Sequence, residues 1–348
     1  MKTVRISGRG VGGKYPCFII AEIGSNHNQR IDIAYKLVDA AIAAGADAVK
    51  FQSFTVSEWI SKELKVFPTV EEKENLHKLL KRCELPYADY AKIKKYCAKR
   101  GIICFSSPSS VSDIRNFLSI GIPAIKFGSV QITDIPVLKF AAKTGKPIIL
   151  STGASTMADI SAAVRTIRSA GNDRIILLHC TVVYPAPFDK LNLKVMGALK
   201  RMFDLPVGFS DHSMDAVTAP VAAVAMGACV IEKHLTLDRN MKGPDHRFAL
   251  DPKEFKVMVR AIRNSEIALG SPVKTILAEE KEIARLGRRS VVSRVVIPKG
   301  AIIEPDMLTT KRPGYGIQPK DMDKVIGMRT KARIDEDKVL RWNKLKKR

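Results

Sequence analysis

Two histidines at the ends of successive apolar runs are the residues of this chain best placed to do chemistry. His212 lies near the end of the stretch PVGFSDHS (206–213), and His234 lies in VIEKHLTLDRNMKGPD (230–245). Each stretch reads as a short buried strand that runs into polar groups, and the Ala-rich segment between them, Ala216 to Met226, reads as a helix. Together they form a βαβ unit, whose right-handed connection sets its strands parallel and brings both imidazoles to one face. Converging imidazoles suit a divalent metal. With two histidines and no nearby cysteine, a site completed by water and substrate oxygen fits manganese or magnesium better than structural zinc. Read separately, each histidine would only cap a strand or bond a loop carbonyl.

The ends of other apolar runs carry Glu22 and Asn26-His27-Asn28, Lys50 and Gln52, Ser106 and Ser107, Lys126, Ser129 and Gln131, Ser151 and Thr152, Thr181 and Tyr184, Ser210 and Asp211, and Glu232 with Asp245. A lysine well inside a strand is costly to desolvate unless an anion meets it. Lys50 and Lys126 therefore imply a phosphate or carboxylate ligand, with the serines as further hydrogen-bond donors. Imine chemistry is the rival for Lys126, but a second lysine, several hydroxyls and a histidine pair favour an anion together with a metal. No HExxH, no GxSxG and no cysteine-nucleophile motif is present, which argues against a protease or hydrolase.

The elements that must position these groups follow one repeating pattern from residue 17 onward. Apolar runs of four to seven residues alternate with segments of period 3.6 that close on Gly or Gly-Lys-Pro. The strand candidates are Phe18 to Ile23, Ala48 to Gln52, Ile102 to Ser106, Ala124 to Gly128, Pro147 to Ser151, Ile175 to Cys180, Pro206 to Phe209 and Val230 to His234. Helical segments follow each, the last over Pro252 to Leu269. Eight βα units in about 250 residues are what an α/β (β/α)8 TIM barrel requires, with the active site at the C-terminal ends of the strands; a doubly wound open sheet is the alternative. The polar loop Thr55 to Arg82, with Pro68, reads as a lid or insertion. GRGVGG (8–13) matches GxGxxG but precedes the first strand and opens no helix, so it reads as a flexible turn and not a dinucleotide site. The expected division is a catalytic barrel over 1–269, a linker over 270–287 with one helical stretch, and a small β-rich domain over 288–348.

Composition excludes disorder, with 46% hydrophobic and 27% charged residues. The net charge is +23, and residues 288–348 carry 17 Lys+Arg against 7 Asp+Glu. Such a surface attracts RNA, anionic membrane or small anionic substrates. A polyanion-binding protein is thus a rival class, although its basic tail has few interleaved aromatics beyond Tyr315 and Trp342. The six cysteines form no CxxC pair and read as reduced core residues of a cytosolic protein. The first residues lack the apolar core of a signal peptide, and no run is long enough to cross a bilayer.

Segments IIAEIGSNHN (19–28), DAVKFQSF (47–54), IKFGSVQ (125–131), ILSTGAS (149–155), LLHCTVVYPAP (177–187), VGFSDHS (207–213), IEKHLTLDRNMKGPDHRFALDP (231–252) and TTKRPGYGI (309–317) resemble, in order, the sialic acid synthase family. The resemblance implies a barrel followed by an antifreeze-like SAF domain, a homodimer in which that domain caps the partner's barrel, and condensation of phosphoenolpyruvate with an N-acylated mannosamine-type sugar. It makes His212 and His234 ligands of a divalent metal, manganese first with magnesium or cobalt as alternatives, and Glu22 the glutamate near the reacting carbonyl. Lys50, Lys126, Ser129, Ser151 and Ser210 match positions that hold phosphoenolpyruvate; Gln52, Gln131, Tyr184, Asp245 and Arg312 match positions lining the sugar or its neighbourhood. Two residues depart from the pattern. Val182 stands where some members carry Asn, and Gln131 where bacterial sialic acid synthases carry Glu, which leaves open legionaminic, pseudaminic and 6-phosphosugar products. Octulosonate- or heptulosonate-type synthases are a further alternative that the appended domain disfavours.

Overall fold

The computed structural model describes residues 2–65 and 75–347. It divides into two compact units, Met1–Gly270 and Ser271–Arg348. In the first, a hairpin of β1 (Thr3–Ile6) and β2 (Arg9–Gly12) precedes eight parallel strands: β3 (Phe18–Gly24), β4 (Ala48–Ser53), β5 (Ile103–Pro108), β6 (Ile125–Phe127), β7 (Ile148–Ser151), β8 (Ile175–Cys180), β9 (Val207–Asp211) and β10 (Val230–His234). They close into a barrel in chain order, β10 pairing with both β9 and β3. This is the expected TIM barrel and not an open sheet.

Helices such as Ile31–Ala44, Tyr87–Arg100 and Pro252–Leu269 surround the strands and bury their apolar stripes against them. Gly45 and Gly101 end the first two with φ of +87° and +75°, the left-handed conformation glycine adopts without a Cβ penalty. The helix expected over Ala216 to Met226 is shorter, Thr218–Ala225, because Asp215 Oδ2 accepts the N–H groups of Val217 and Ala219 and fixes a turn before it. The segment expected to be a long loop holds two short helices, Val56–Trp59 and Leu76–Lys81; its residues 66–74, with Pro68, lie outside the described residues.

Strand period two sorts the lumen. Toward the N-terminal ends, Phe18, Ile20, Ala48, Phe105, Ala124, Ile149, Ile176, Leu178 and Val230 fill it, and Val4, Ile6 and Val11 of the hairpin pack against them. GRGVGG is therefore no flexible turn. Its glycines shape a hairpin that stoppers the barrel floor, with Gly8 and Gly12 at positive φ. Continuing the same alternation upward replaces apolar side chains with polar ones.

The second unit is β-rich. β11 (Ser290–Ser293) pairs antiparallel with β12 (Leu308–Lys311), and β13 (Arg329–Thr330) with β14 (Leu345–Lys346), around a core of Val291, Ile297, Ile303, Leu308, Ile317, Val325, Ile334, Leu340 and Leu345. Its first part holds a 3-10 turn, Ala278–Glu280, and the helix Lys281–Gly287. Among the described residues no helix is long and apolar enough to cross a membrane.

Candidate active site

The upper lumen opens into a cavity of about 520 Å³. Interior positions supply most of its floor: Glu22 from β3, Lys50 and Gln52 from β4, Ser107 from β5, Lys126 from β6, Ser151 from β7, Cys180 from β8, Ser210 from β9, and Glu232 and His234 from β10, with His212 just beyond β9. Ser129, Gln131, Val182, Tyr184 and Asp245 join them from the loops.

Two ammoniums and two carboxylates form the centre. Lys50 Nζ lies 2.6 Å from Glu22 Oε2 and 3.8 Å from Glu232 Oε2, and it donates to the Ser107 hydroxyl at 3.1 Å. Lys126 Nζ lies 3.5 Å from Glu232 Oε1 and donates to Ser151 Oγ at 2.7 Å and the Phe127 carbonyl at 3.0 Å. Since β6 stands opposite β10 in the ring of eight, the Lys126–Glu232 pair spans the lumen. Ser210 Oγ donates to Glu232 Oε1 at 2.9 Å.

Burial sets the protonation of this cluster and charge corrects it. Burial depresses Lys126, which Glu232 only partly restores. It would depress Lys50 too, but Glu22 and Glu232 outweigh it and hold that ammonium above its ordinary value. Burial would raise Glu232, but Lys126 and Lys50 draw it below the usual carboxylate range. Glu22 is pushed up to about 7 by burial, Lys50 opposing and Glu232 adding. Its Oε1 accepts from Gln52 Nε2 at 3.1 Å.

The histidines stand at the other side. Their ring centroids are 5.6 Å apart with a 63° tilt. Imidazoles sharing one ion with bonds of ~2.1 Å have centroids within about 6.5 Å of each other, so the pair fits a common metal. His212 Nδ1 bonds the Thr181 carbonyl at 2.9 Å, which fixes the ring and leaves its other nitrogen free. His234 Nδ1 is buried without a hydrogen-bond partner, 3.8 Å from Asp245 Oδ2. Burial and the neighbouring His212 hold His234 well below its usual pKa, so it stays neutral with lone pairs available to a cation. Burial raises Asp245 to about 6. Among the described residues no group of three His, Cys, Asp or Glu comes together as ligands; a metal here would complete its shell from water and substrate. Tyr184 stacks on His212 with centroids 4.2 Å apart and packs against Phe248 at 4.9 Å.

The structure gathers around this cavity every first-unit residue that the family resemblance singled out, whereas Asn26, His27, Asn28, Ser106, Thr152, Thr181 and Asp211 from the wider set of strand-end groups do not line it. Arg312 belongs to the second unit, where it is exposed directly after β12. Gln131 differs from expectation in detail: its Oε1 accepts the Gly128 N–H at 2.8 Å and its Nε2 donates to the Pro108 carbonyl at 2.9 Å. The amide staples two loops, and a carboxylate could not make the second bond. Glu232 was among the strand-end groups but was assigned no role, and Cys180 was missed as a site member. Glu232 faces both lysines as an ion-pair partner only because β10 closes the barrel beside β3. Cys180, read as core, lies 3.7 Å from His212 Nδ1; burial opposes ionisation, but the imidazole lowers the thiol pKa. Its interior position on β8, two residues after Leu178, was the signal available.

A family model described as the NeuB family matches residues 37–274, and one described as the SAF domain matches residues 288–346. The chain belongs to the NeuB family. This NeuB chain is 41% identical to an uncharacterized protein of Methanocaldococcus jannaschii over 99% of both chains, and 37% identical to the N,N'-diacetyllegionaminic acid synthase of Legionella pneumophila over 95% of both. Among solved structures it is similar to the N-acetylneuraminic acid synthetase of Leptospira borgpetersenii in complex with citrate, with TM-score 0.74 and 31% identity over 81% of this chain and 95% of that one.

Proposed function

We propose that this chain condenses phosphoenolpyruvate with an open-chain N-acylated mannosamine-type sugar, releasing phosphate and a nonulosonic acid by C–O cleavage. The observation that carries the reading is the pair of buried lysines at the barrel mouth, bridged by Glu232 and ringed by serine hydroxyls. Lys50, Lys126, Ser129, Ser151 and Ser210 hold the phosphate and carboxylate of phosphoenolpyruvate, and so fix its methylene carbon toward the histidines. His212 and His234 would hold a divalent ion, manganese being our choice, which when bound polarises the sugar carbonyl as a Lewis acid. Gln52, Tyr184 and Asp245 orient the sugar.

Attack by the methylene carbon on the sugar C1 leaves positive charge at C2 of the former phosphoenolpyruvate, beside the carboxylates of Glu22 and Glu232. Water adds at C2, and phosphate leaves with its bridging oxygen. Glu22, with a pKa of about 7, is suited to move a proton at the new hydroxyl or at the attacking water. Turnover in labelled water tests the bond broken: solvent oxygen is expected in the sugar acid, and label in the released phosphate would refute the mechanism.

The apolar side of the mouth, with Phe54, Trp59, Ile60, Leu64 and Leu80, favours a sugar carrying a second acyl group or a deoxy carbon, as in legionaminic-type products. Phosphate release across a panel of N-acyl hexosamines, with and without 6-phosphate, decides this. The proposed assembly is a two-fold dimer in which Arg312 of one chain serves the other's barrel. Arg312→Ala and His212→Ala should each be inactive, and co-expression should restore up to about a quarter of the activity, since half of random dimers hold one intact site. No recovery would show that the cap does not act across chains.

A further inference from the structure

Behind the two histidines a second ion pair is sealed within the barrel wall. Asp211 and Lys233 are register partners on β9 and β10, and their side chains are 0% and 1% exposed. Period two turns both away from the lumen, because Ser210, His212, Glu232 and His234 on either side of them line the cavity. Lys233 Nζ donates to Asp211 Oδ2 at 2.7 Å, to Ser213 Oγ at 3.3 Å and to the Ser213 carbonyl. Asp211 Oδ1 accepts the Ser213 N–H at 2.8 Å. These bonds close a ring around the backbone of His212 and fasten it to the strand that carries His234.

Packing alone does not call for charges here, since well-packed apolar residues often replace a buried ion pair without loss of stability. An ammonium with three acceptors does what an apolar contact does not: it fixes directions. The other ties on residue 212 run to the opposite side, from the Ala186 N–H to the His212 carbonyl at 2.9 Å and from His212 Nδ1 to the Thr181 carbonyl at 2.9 Å. The Lys233 bracket is the side-chain tie toward β10.

We propose that Lys233 and Asp211 are positioning residues that hold His212 and His234 at their observed separation and tilt, and thereby preform the divalent-cation site. This rests on the metal reading above. Neither residue lines the cavity, so neither touches substrate.

The test is Mn²⁺ binding to chelator-treated full-length protein, followed by calorimetry and by the electron paramagnetic resonance signal of free ion. The paired variant Asp211→Leu with Lys233→Met should keep its melting transition and its phosphoenolpyruvate affinity, while its Mn²⁺ dissociation constant rises about tenfold or more. Ser213→Ala removes one acceptor and should weaken Mn²⁺ by about threefold or more; it carries the test if the paired variant does not fold. Mn²⁺ affinity within twofold of wild type in a folded paired variant, or unchanged in Ser213→Ala if only that variant folds, overturns the positioning role and leaves the metal reading standing. A wild-type protein that binds no Mn²⁺ overturns both.

Discussion

Glu22→Gln probes the least ordinary group of the cavity while keeping its shape. Burial raises the Glu22 carboxyl from 4.5 to about 7, with Lys50 opposing and Glu232 adding. At pH ~5.8 a carboxyl with a pKa of about 7 is about 95% protonated, whereas one at 4.5 is about 5% protonated. A potentiometric difference titration of the folded, ligand-free proteins should therefore show wild type holding nearly one more proton per chain than the variant near that pH, and releasing it around pH 7. The sign for stability follows. A carboxyl whose folded-state pKa exceeds its unfolded value stabilises the fold below about pH 4.5, and that contribution is lost as pH rises through about 7. At ~1.4 kcal/mol per pH unit the rise from 4.5 to about 7 amounts to about 3 kcal/mol. The variant should lack this slope and lose about 10²–10⁴ in kcat if Glu22 moves a proton. A difference titration with its midpoint near 4.5 would refute the argument at its first step.

Three other substitutions probe separate parts of the lumen. Lys126→Met should weaken phosphoenolpyruvate by about 2–5 kcal/mol, seen as loss of its thermal-shift response, and an unchanged affinity would remove Lys126 from the anion site. Gly24→Ala forces a side chain onto φ +55° at the β3 bulge and sets a methyl 3.0 Å from Asp245 Oδ2 and 3.1 Å from Glu22 Oε1. A cost of about 1–2 kcal/mol in stability together with a lower kcat is expected, and wild-type values for both would show slack in the bulge. Ile6→Ala, in the floor of the barrel, should cost about 2–5 kcal/mol by denaturant titration yet leave phosphoenolpyruvate affinity intact.

How much of this was legible before the structure depended on the range of the interaction. Strand alternation is local, so Lys50, Lys126, Ser151 and His234 could be assigned to strand ends from the pattern around each. Helix stops at Gly45 and Gly101 were local too. The hairpin was not: Val4, Ile6 and Val11 alternate weakly among glycines, and what orders them is the apolar floor made by eight strands distant in sequence. Glu232 could be assigned to a strand end, but its role between the lysines was hidden for the same reason, because they come from β4 and β6 and meet it only when the barrel closes. Cys180 looked like any cysteine on an apolar strand. Gln131 was placed at the cavity, but that its amide is tied on both sides by backbone could be known only from the neighbouring loop ends.

The ion pairing of Lys50 and Lys126 with internal carboxylates bears on selectivity. Glu22 and Glu232 stand as understudies for the anionic groups of a ligand, because each lies beside an ammonium that also bonds a serine hydroxyl. Under the proposed function, entry of phosphoenolpyruvate is an exchange of counter-ions and not a capture by free cations. A molecule with two anionic groups, spaced to reach both lysines, replaces both understudies at once. A ligand with a single anionic group replaces one and leaves the other lysine paired as before, gaining little over the internal ion pairs. If the proposed function holds, phosphoenolpyruvate should therefore outcompete small carboxylates and inorganic phosphate for the two lysines, before any sugar arrives.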